Sequence, residues 1–176
     1  MLLKTSITAC SLLLFSFLCN AQVEVDYVKA KDFNSIGFGA FLNFSFSISE
    51  GDYLTVEGGL QYYNSTDGEE LALIPALAGY RYTLDGTGSG WYVEPFAGYT
   101  FGSSTIGVYD ENGGWEGGNA SVAGPAAGLG AGYLLDIGNI PFNIGLRYQH
   151  NFGNLATNTF AFRIAHSFGS RKRDDY

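Results

Sequence analysis

Alternation of apolar and polar residues constrains this chain more than any other feature of its sequence. From Ile36 to Ile48 every second residue is apolar: Ile36, Phe38, Ala40, Leu42, Phe44, Phe46, Ile48. The residues between them are small or polar, apart from Phe41. Side chains on an extended backbone point alternately to opposite faces, so the segment reads as a strand with one greasy and one wet face. The pattern returns in Leu54–Tyr63, Trp91–Gly102, Ser121–Leu135, Phe142–Phe152 and Thr159–Phe168. Leu71–Leu84 splits less cleanly, because Leu73, Pro75 and Leu77 oppose Ile74, Ala76 and Ala78. Periodicity of two over nearly the whole length predicts an all-β chain.

The joints between these strands differ in kind. Those at 49–52, 85–90 and 136–139 are tight and rich in Gly and Asp, whereas those at 64–70, 103–120 and 153–158 are longer. Transmembrane β-barrels have short periplasmic turns and longer outer loops. With the tight joints periplasmic, the strand at 36–48 runs inward from outside, and an earlier strand must precede it. Val23–Lys31 supplies one, with Val23, Val25 and Tyr27 alternating with Glu24 and Asp26. The expectation is an antiparallel, up-and-down, eight-stranded transmembrane β-barrel with both ends of the barrel on the periplasmic side.

Composition decides which face meets lipid. Charged residues make up 15% of the chain, and the polar strand faces carry mostly Gly, Ser, Asn and Thr. A water-facing surface normally carries about 25–35% charged residues. Aromatics also form two belts: Phe46, Tyr82, Trp91, Tyr133, Phe142 and Phe168 towards the tight turns, and Phe38, Tyr62, Tyr99, Phe101, Tyr148 and Phe152 towards the longer loops. Such belts are the girdles of a membrane barrel. The greasy face is therefore assigned to lipid. The rival arrangement, a soluble exported barrel with an apolar ligand inside, has the faces reversed and would be marked by solubility without detergent.

Met1–Ala21 has the pattern of a secretory signal: Lys4, an apolar run from Ile7 to Leu18, and small residues at Cys19 and Ala21 before Gln22. The division expected is a signal peptide at 1–21, a barrel at 22–168 and a short periplasmic tail at 169–176. Cys10 and Cys19 both fall in the signal segment, so the barrel has no thiol for a disulfide or a metal. A formal charge of −8 argues against nucleic acid as a partner.

Five strand charges, Glu57, Arg81, Glu94, Arg147 and Arg163, share the polar face. All five would face a narrow lumen, where they can satisfy one another, with Arg147 somewhat higher than the rest. They read as a plug of salt bridges; the alternative is a narrow ion path lined by Gln61, Arg81, Glu94, Arg147 and Gln149.

Gly79-Tyr80-Arg81-Tyr82, the Trp91-Tyr92-Val93-Glu94-Pro95 strand start, the Gly128–Tyr133 run, Gly145-Leu146-Arg147-Tyr148 and the final strand to Phe168 together resemble the small eight-stranded outer-membrane β-barrel proteins of Gram-negative bacteria. These are porin-like proteins without a periplasmic domain. The resemblance implies an integral outer-membrane location among outer-membrane lipid and lipopolysaccharide, as a monomer. It also implies insertion by the barrel-insertion machinery, with Phe168 as its signal, although here Gly169–Tyr176 follows Phe168.

The motifs speak less clearly of activity. Gly128-Leu129-Gly130-Ala131-Gly132 lies inside an alternating strand and lacks the spacing of a dinucleotide loop; it reads as small residues beside bulky neighbours. His150 and His166 fall on the lipid-facing parity near opposite strand ends, and no nucleophile, base and orienter gather at one level. The expectation is a protein that is not an enzyme and needs no cofactor or metal. Its role is structural or a surface interaction, and the alternative is a narrow channel for ions or small solutes. The contact element expected is the 103–120 excursion, where the Asn112-Gly113 turn signal suggests a projecting ribbon. Tyr109 and Trp115 are the candidates to touch a protein or glycan, and Asp110, Glu111 and Glu116 offer weak calcium ligation.

Overall fold

A computed structural model describes residues 19–30, 33–65, 68–86, 88–105, 108–109, 115–116, 120–137, 140–153 and 155–167. Among these residues ten strands follow in order: β1 Cys19–Lys29, β2 Asn34–Ser49, β3 Asp52–Asn64, β4 Glu70–Thr83, β5 Gly90–Ser104, β6 Val108–Tyr109, β7 Trp115–Glu116, β8 Ala120–Ile137, β9 Ile140–Asn151 and β10 Thr157–Ser167. Eight of them close a barrel in the order β1-β10-β9-β8-β5-β4-β3-β2, every pairing antiparallel. Closure comes from β1, which pairs with β2 on one side and with β10 on the other. The remaining two, β6 and β7, pair with each other as a separate ribbon in the β5–β8 connection.

The strand expected at Val23–Lys31 is β1, begun earlier than the alternation suggested. Its pairing extends back to Cys19, opposite Phe44, so three residues of the segment read as a signal lie in the strand. Residues 1–18, the rest of that segment, and 168–176, which include Phe168, fall outside the described residues.

Alternation dictates which side chains line the lumen. In β2 the burial pattern switches at every residue from Asn34 to Asn43, and the outward set is apolar, with Ile36 at 67% and Phe38 at 69% exposure. Aromatic residues stud both rims of this surface. Trp91 meets Tyr133 edge-on at 5.3 Å towards the tight turns, and Tyr148 meets Phe160 at 4.9 Å towards the loops. An apolar outer band between aromatic girdles is what hydrocarbon requires of a barrel wall.

The lumen is not polar along its whole length. At the loop end Val28, Ala30, Phe33, Tyr63, Leu71, Leu73 and Val122 form a buried apolar cluster, with half-buried Leu155 packed on it. Phe33 comes from the β1–β2 joint, where Ala30 N donates to Phe33 O at 2.7 Å. This cluster explains the blurred alternation of β4. Leu71 and Leu73 belong to it, Leu77 packs inward against Phe96 and Ala126, and all three are as apolar as the residues facing lipid.

At the other end the turns pack on one another. Thr83 donates both its N–H and its hydroxyl to Gly51 O, at 2.9 and 2.8 Å. Gly51 has φ 83°, a left-handed conformation that a side chain would oppose.

Candidate functional site

The inward faces of seven barrel strands converge on one charged network at mid-barrel. Arg81 of β4 donates through Nε and Nη2 to Oε2 of Glu94 on β5, at 3.1 and 2.8 Å. The other oxygen of Glu94 accepts from Thr55 Oγ1 of β3 at 2.7 Å. Arg163 of β10 joins the same Glu94 Oε2 at 3.1 Å and lies 3.6 Å from Glu57 of β3. Arg147 of β9 pairs with Glu57 and reaches Glu24 of β1 at 3.4 Å. Asn43 of β2 adds an amide donor to Glu57 at 3.3 Å. The chain of contacts therefore runs Arg81–Glu94–Arg163–Glu57–Arg147–Glu24 across the barrel.

Room for these long side chains comes from the strand that carries none of them. The inward positions of β8 are mostly glycine. A β-carbon at Gly130 would sit 3.2 Å from the Arg163 guanidinium. Gly132 of β8 and Gly145 of β9 pair across the strands, and the Tyr92 hydroxyl lies over both, 2.6 and 2.7 Å from where their β-carbons would be. That hydroxyl donates to Asn143 Oδ1 at 2.8 Å. The glycine-rich stretch is thus the crowded wall expected of it, with the bulk supplied by Tyr92 and by Phe96, which occupies the space beside Gly128.

The structure brings Glu57, Arg81, Glu94, Arg147 and Arg163 together, all nearly inaccessible. Arg147 stands two residues nearer the loops than the position opposite Arg163, and its side chain reaches back to Glu57. Its guanidinium also lies over the Phe96 ring at 4.2 Å and faces Phe41 at 5.1 Å. This gives a reason for Phe41 on an otherwise polar face: a ring beneath a buried cation.

Sequence reasoning left Glu24 out of the cluster, and Asp26 beside it. The signal was their shared parity with the lumen face of β1. Asp26 Oδ2 accepts from Gln61 Nε2 and Tyr63 OH, both at 3.2 Å. Among the described residues the lumen thus holds four carboxylates, Glu24, Asp26, Glu57 and Glu94, against three guanidiniums. Gln149, the other polar residue assigned to the lumen, accepts from Arg147 Nη2 at 2.9 Å and donates to Asn151 Oδ1 at 2.9 Å.

This arrangement can brace a wall. Every guanidinium has carboxylate partners on other strands, so the network crosslinks the barrel through its interior, and the apolar cluster seals the lumen above it.

Other residues singled out in the sequence lie elsewhere. The backbones of Tyr109 and Trp115 pair in register in the β6–β7 ribbon, while residues 110–114 and 117–119 fall outside the described residues. His150 and His166 lie on the outward face at opposite ends of the barrel wall. Among the described residues, no three His, Cys, Asp or Glu side chains are grouped to hold a metal.

Comparison with known proteins places this architecture. Residues 39–175 match the family described as Autotransporter beta-domain. Among solved structures, the barrel is similar to Ail, the attachment invasion locus protein of Yersinia pestis, in complex with the heparin analogue sucrose octasulfate. The TM-score is 0.56 at 15% identity, covering 85% of this chain and 96% of that one. Neisserial surface protein A gives a TM-score of 0.56 at 15% identity over 86% of this chain and 97% of that one. The N-terminal β-barrel domain of Pseudomonas aeruginosa OprF gives 0.51 at 11% identity over 84% and 96%. No curated protein matches the chain in sequence.

Proposed function

The chain belongs to the Autotransporter beta-domain family and is an integral outer-membrane β-barrel of the Gram-negative type, and from that premise we propose a structural and surface-interaction role without enzymatic activity. The 103–120 loop makes the contact. The observation that carries this reading is the filled lumen. A buried ion network at mid-barrel and an apolar cluster at the loop end leave the outer rim as the place for recognition. An eight-stranded barrel has an interior about filled by its own side chains.

The ribbon gives the loop a fixed base, with Val108 opposite Glu116 and Tyr109 opposite Trp115. Tyr109 and Trp115 are the contact residues proposed, since aromatic rings supply large area at low entropic cost. The likeness to Ail, solved with a heparin analogue, supports a glycan as one class of partner. The acidic loop here, with Asp110, Glu111 and Glu116, would repel a sulfated glycan, so an uncharged glycan or a protein surface fits better. The proposed division remains a signal peptide at 1–21, a barrel at 22–168 and a tail at 169–176, with Phe168 as the insertion signal.

The test replaces residues 106–119 by a short Gly-Ser linker and screens cells displaying either form on a glycan array and on immobilised matrix proteins. Binding by the full chain that disappears with the loop, while the barrel keeps its gel shift on boiling, is the result expected. Binding that survives loop replacement overturns the assignment. The channel reading would require single-channel conductance from the unaltered protein in a planar bilayer that changes when Arg81 or Glu94 is replaced.

A further inference from the structure

At the loop end of the barrel, register aligns four polar residues in one row: Asn34 of β2 opposite Lys29 of β1, Lys29 opposite Asn158 of β10, and Asn158 opposite His150 of β9. All four lie on the outward face. The next outward row below is Ile36, Tyr27, Phe160 and Tyr148, so a polar row sits directly on an aromatic one, as at a membrane interface.

The polar row is organised. Asn158 Oδ1 accepts from Tyr148 OH at 2.7 Å and faces His150 Nδ1 at 2.9 Å. An amide oxygen only accepts, so the imidazole proton sits on Nδ1. Phe152 holds the ring edge-on at 4.3 Å. Lys29 is exposed and has no ion pair among the described residues. In a chain of net charge −8, no Asp or Glu lies on the outward faces of β1, β2, β9 or β10.

Beneath this row an apolar groove of about 370 Å³ opens on the outer wall, lined by Val25, Tyr27, Ile36, Leu146, Phe160 and Phe162. Its floor is the backbone at Asp26, Ala161 and Arg147, whose side chains turn into the lumen.

We propose that this face binds one molecule of the phosphorylated, multiply acylated glycolipid of the outer leaflet, lipopolysaccharide, through its lipid A portion. A phosphate rests on Lys29 and the Asn158 amide N–H, with His150 and Tyr148 holding Asn158 Oδ1 so that this amide faces the site, and an acyl chain lies in the groove. The cation and the N–H donors match an anionic headgroup, and the apolar groove below matches the chain attached to it. The inference rests on the outer-membrane reading above, with the loop end facing outward.

The test uses the full chain in detergent, titrated with bisphosphorylated lipid A, its dephosphorylated form and phosphatidylglycerol, with retention read by native mass spectrometry. Retention of lipid A at least fivefold above the other two is expected, and Lys29→Ala with His150→Ala should remove that preference. The more conservative Lys29→Gln with His150→Gln should weaken it in the same direction. Replacing Lys172 in the tail should leave it unchanged. Equal retention of lipid A and phosphatidylglycerol, or a preference that persists in the folded double variants, overturns the proposal. The gel shift on boiling is read alongside: its absence in the unaltered protein would remove the membrane-barrel reading itself, whereas its presence without lipid preference removes only this site.

Discussion

Arg147 shows how much of this barrel depends on single side chains. Its guanidinium lies between Glu24 and Glu57, over the ring of Phe96, at 3% exposure. Assembling such a buried cluster contributes little net stability against a well-packed apolar alternative, because desolvation offsets the attraction. Breaking it is another matter. Arg147→Ala strands Glu24 and leaves Glu57 with Arg163 alone as its cation in a closed lumen, and a loss of about 3–5 kcal/mol is expected in urea unfolding from lipid vesicles. Combining Arg147→Met with Glu24→Gln should recover part of that loss, since the stranded charge is removed with the cation. No recovery would mean that Arg147 acts through packing on Phe96 alone. Tyr92 makes a second case. Gly132→Ala sets a methyl 2.5 Å from the backbone oxygen of Ile144 and 2.6 Å from the Tyr92 hydroxyl and should cost about 1–3 kcal/mol, the range for overpacking. In the Tyr92→Phe background the same substitution should cost less, and additivity in that double-mutant cycle would show that the hydroxyl is not what requires the glycine.

Strands were legible in the sequence because period two survives wherever one face meets lipid, and it faded where both faces are apolar. β2 alternates cleanly and was read to within two residues of its ends. β4 is blurred because Leu71 and Leu73 belong to the cap over the lumen, and a strand with two apolar faces carries no inside–outside signal. The missing member of the ion network has a different cause. Glu24 and Arg147 stand 123 positions apart, and their meeting depends on β1 closing against β10 in one register. Alternation assigns a charge to a face, but register assigns it a height. The ribbon of β6 and β7 is the element least tied to the rest, since its pairing lies outside the barrel sheet. Replacing 106–119 by a four-residue linker should leave the gel shift on boiling intact and change stability by about 1 kcal/mol or less, on the loop-closure scale. A barrel that no longer forms after this replacement would make the ribbon part of the folding core.

Taken whole, the barrel has two barriers in series along its axis, and they differ in kind. At mid-height the lumen is crossed by ion pairs between strands on opposite sides, and nearer the loops it is closed by Val28, Phe33, Tyr63, Leu71, Leu73 and Val122. An ion passing the first barrier must separate buried pairs; passing the second, it must shed water against a largely apolar ring, which is costly. Removing one barrier leaves the other in place. The unaltered protein and a network variant carrying Glu24→Gln, Glu57→Gln, Arg147→Met and Arg163→Met should therefore show no steady conductance in planar bilayers, and neither should a cap variant carrying Leu71→Ala with Leu73→Ala. Only the combination of both sets should conduct, and it should do so with more current noise, because the crosslinks that hold the wall are gone. Conductance from the cap variant alone would make the ion network the lining of a path and the apolar cluster its gate. In that event the surface role would have to be shared with transport, and Arg81 and Glu94 would be the residues to test for selectivity. Silence in both single sets, followed by current in the combination, is what two independent seals demand.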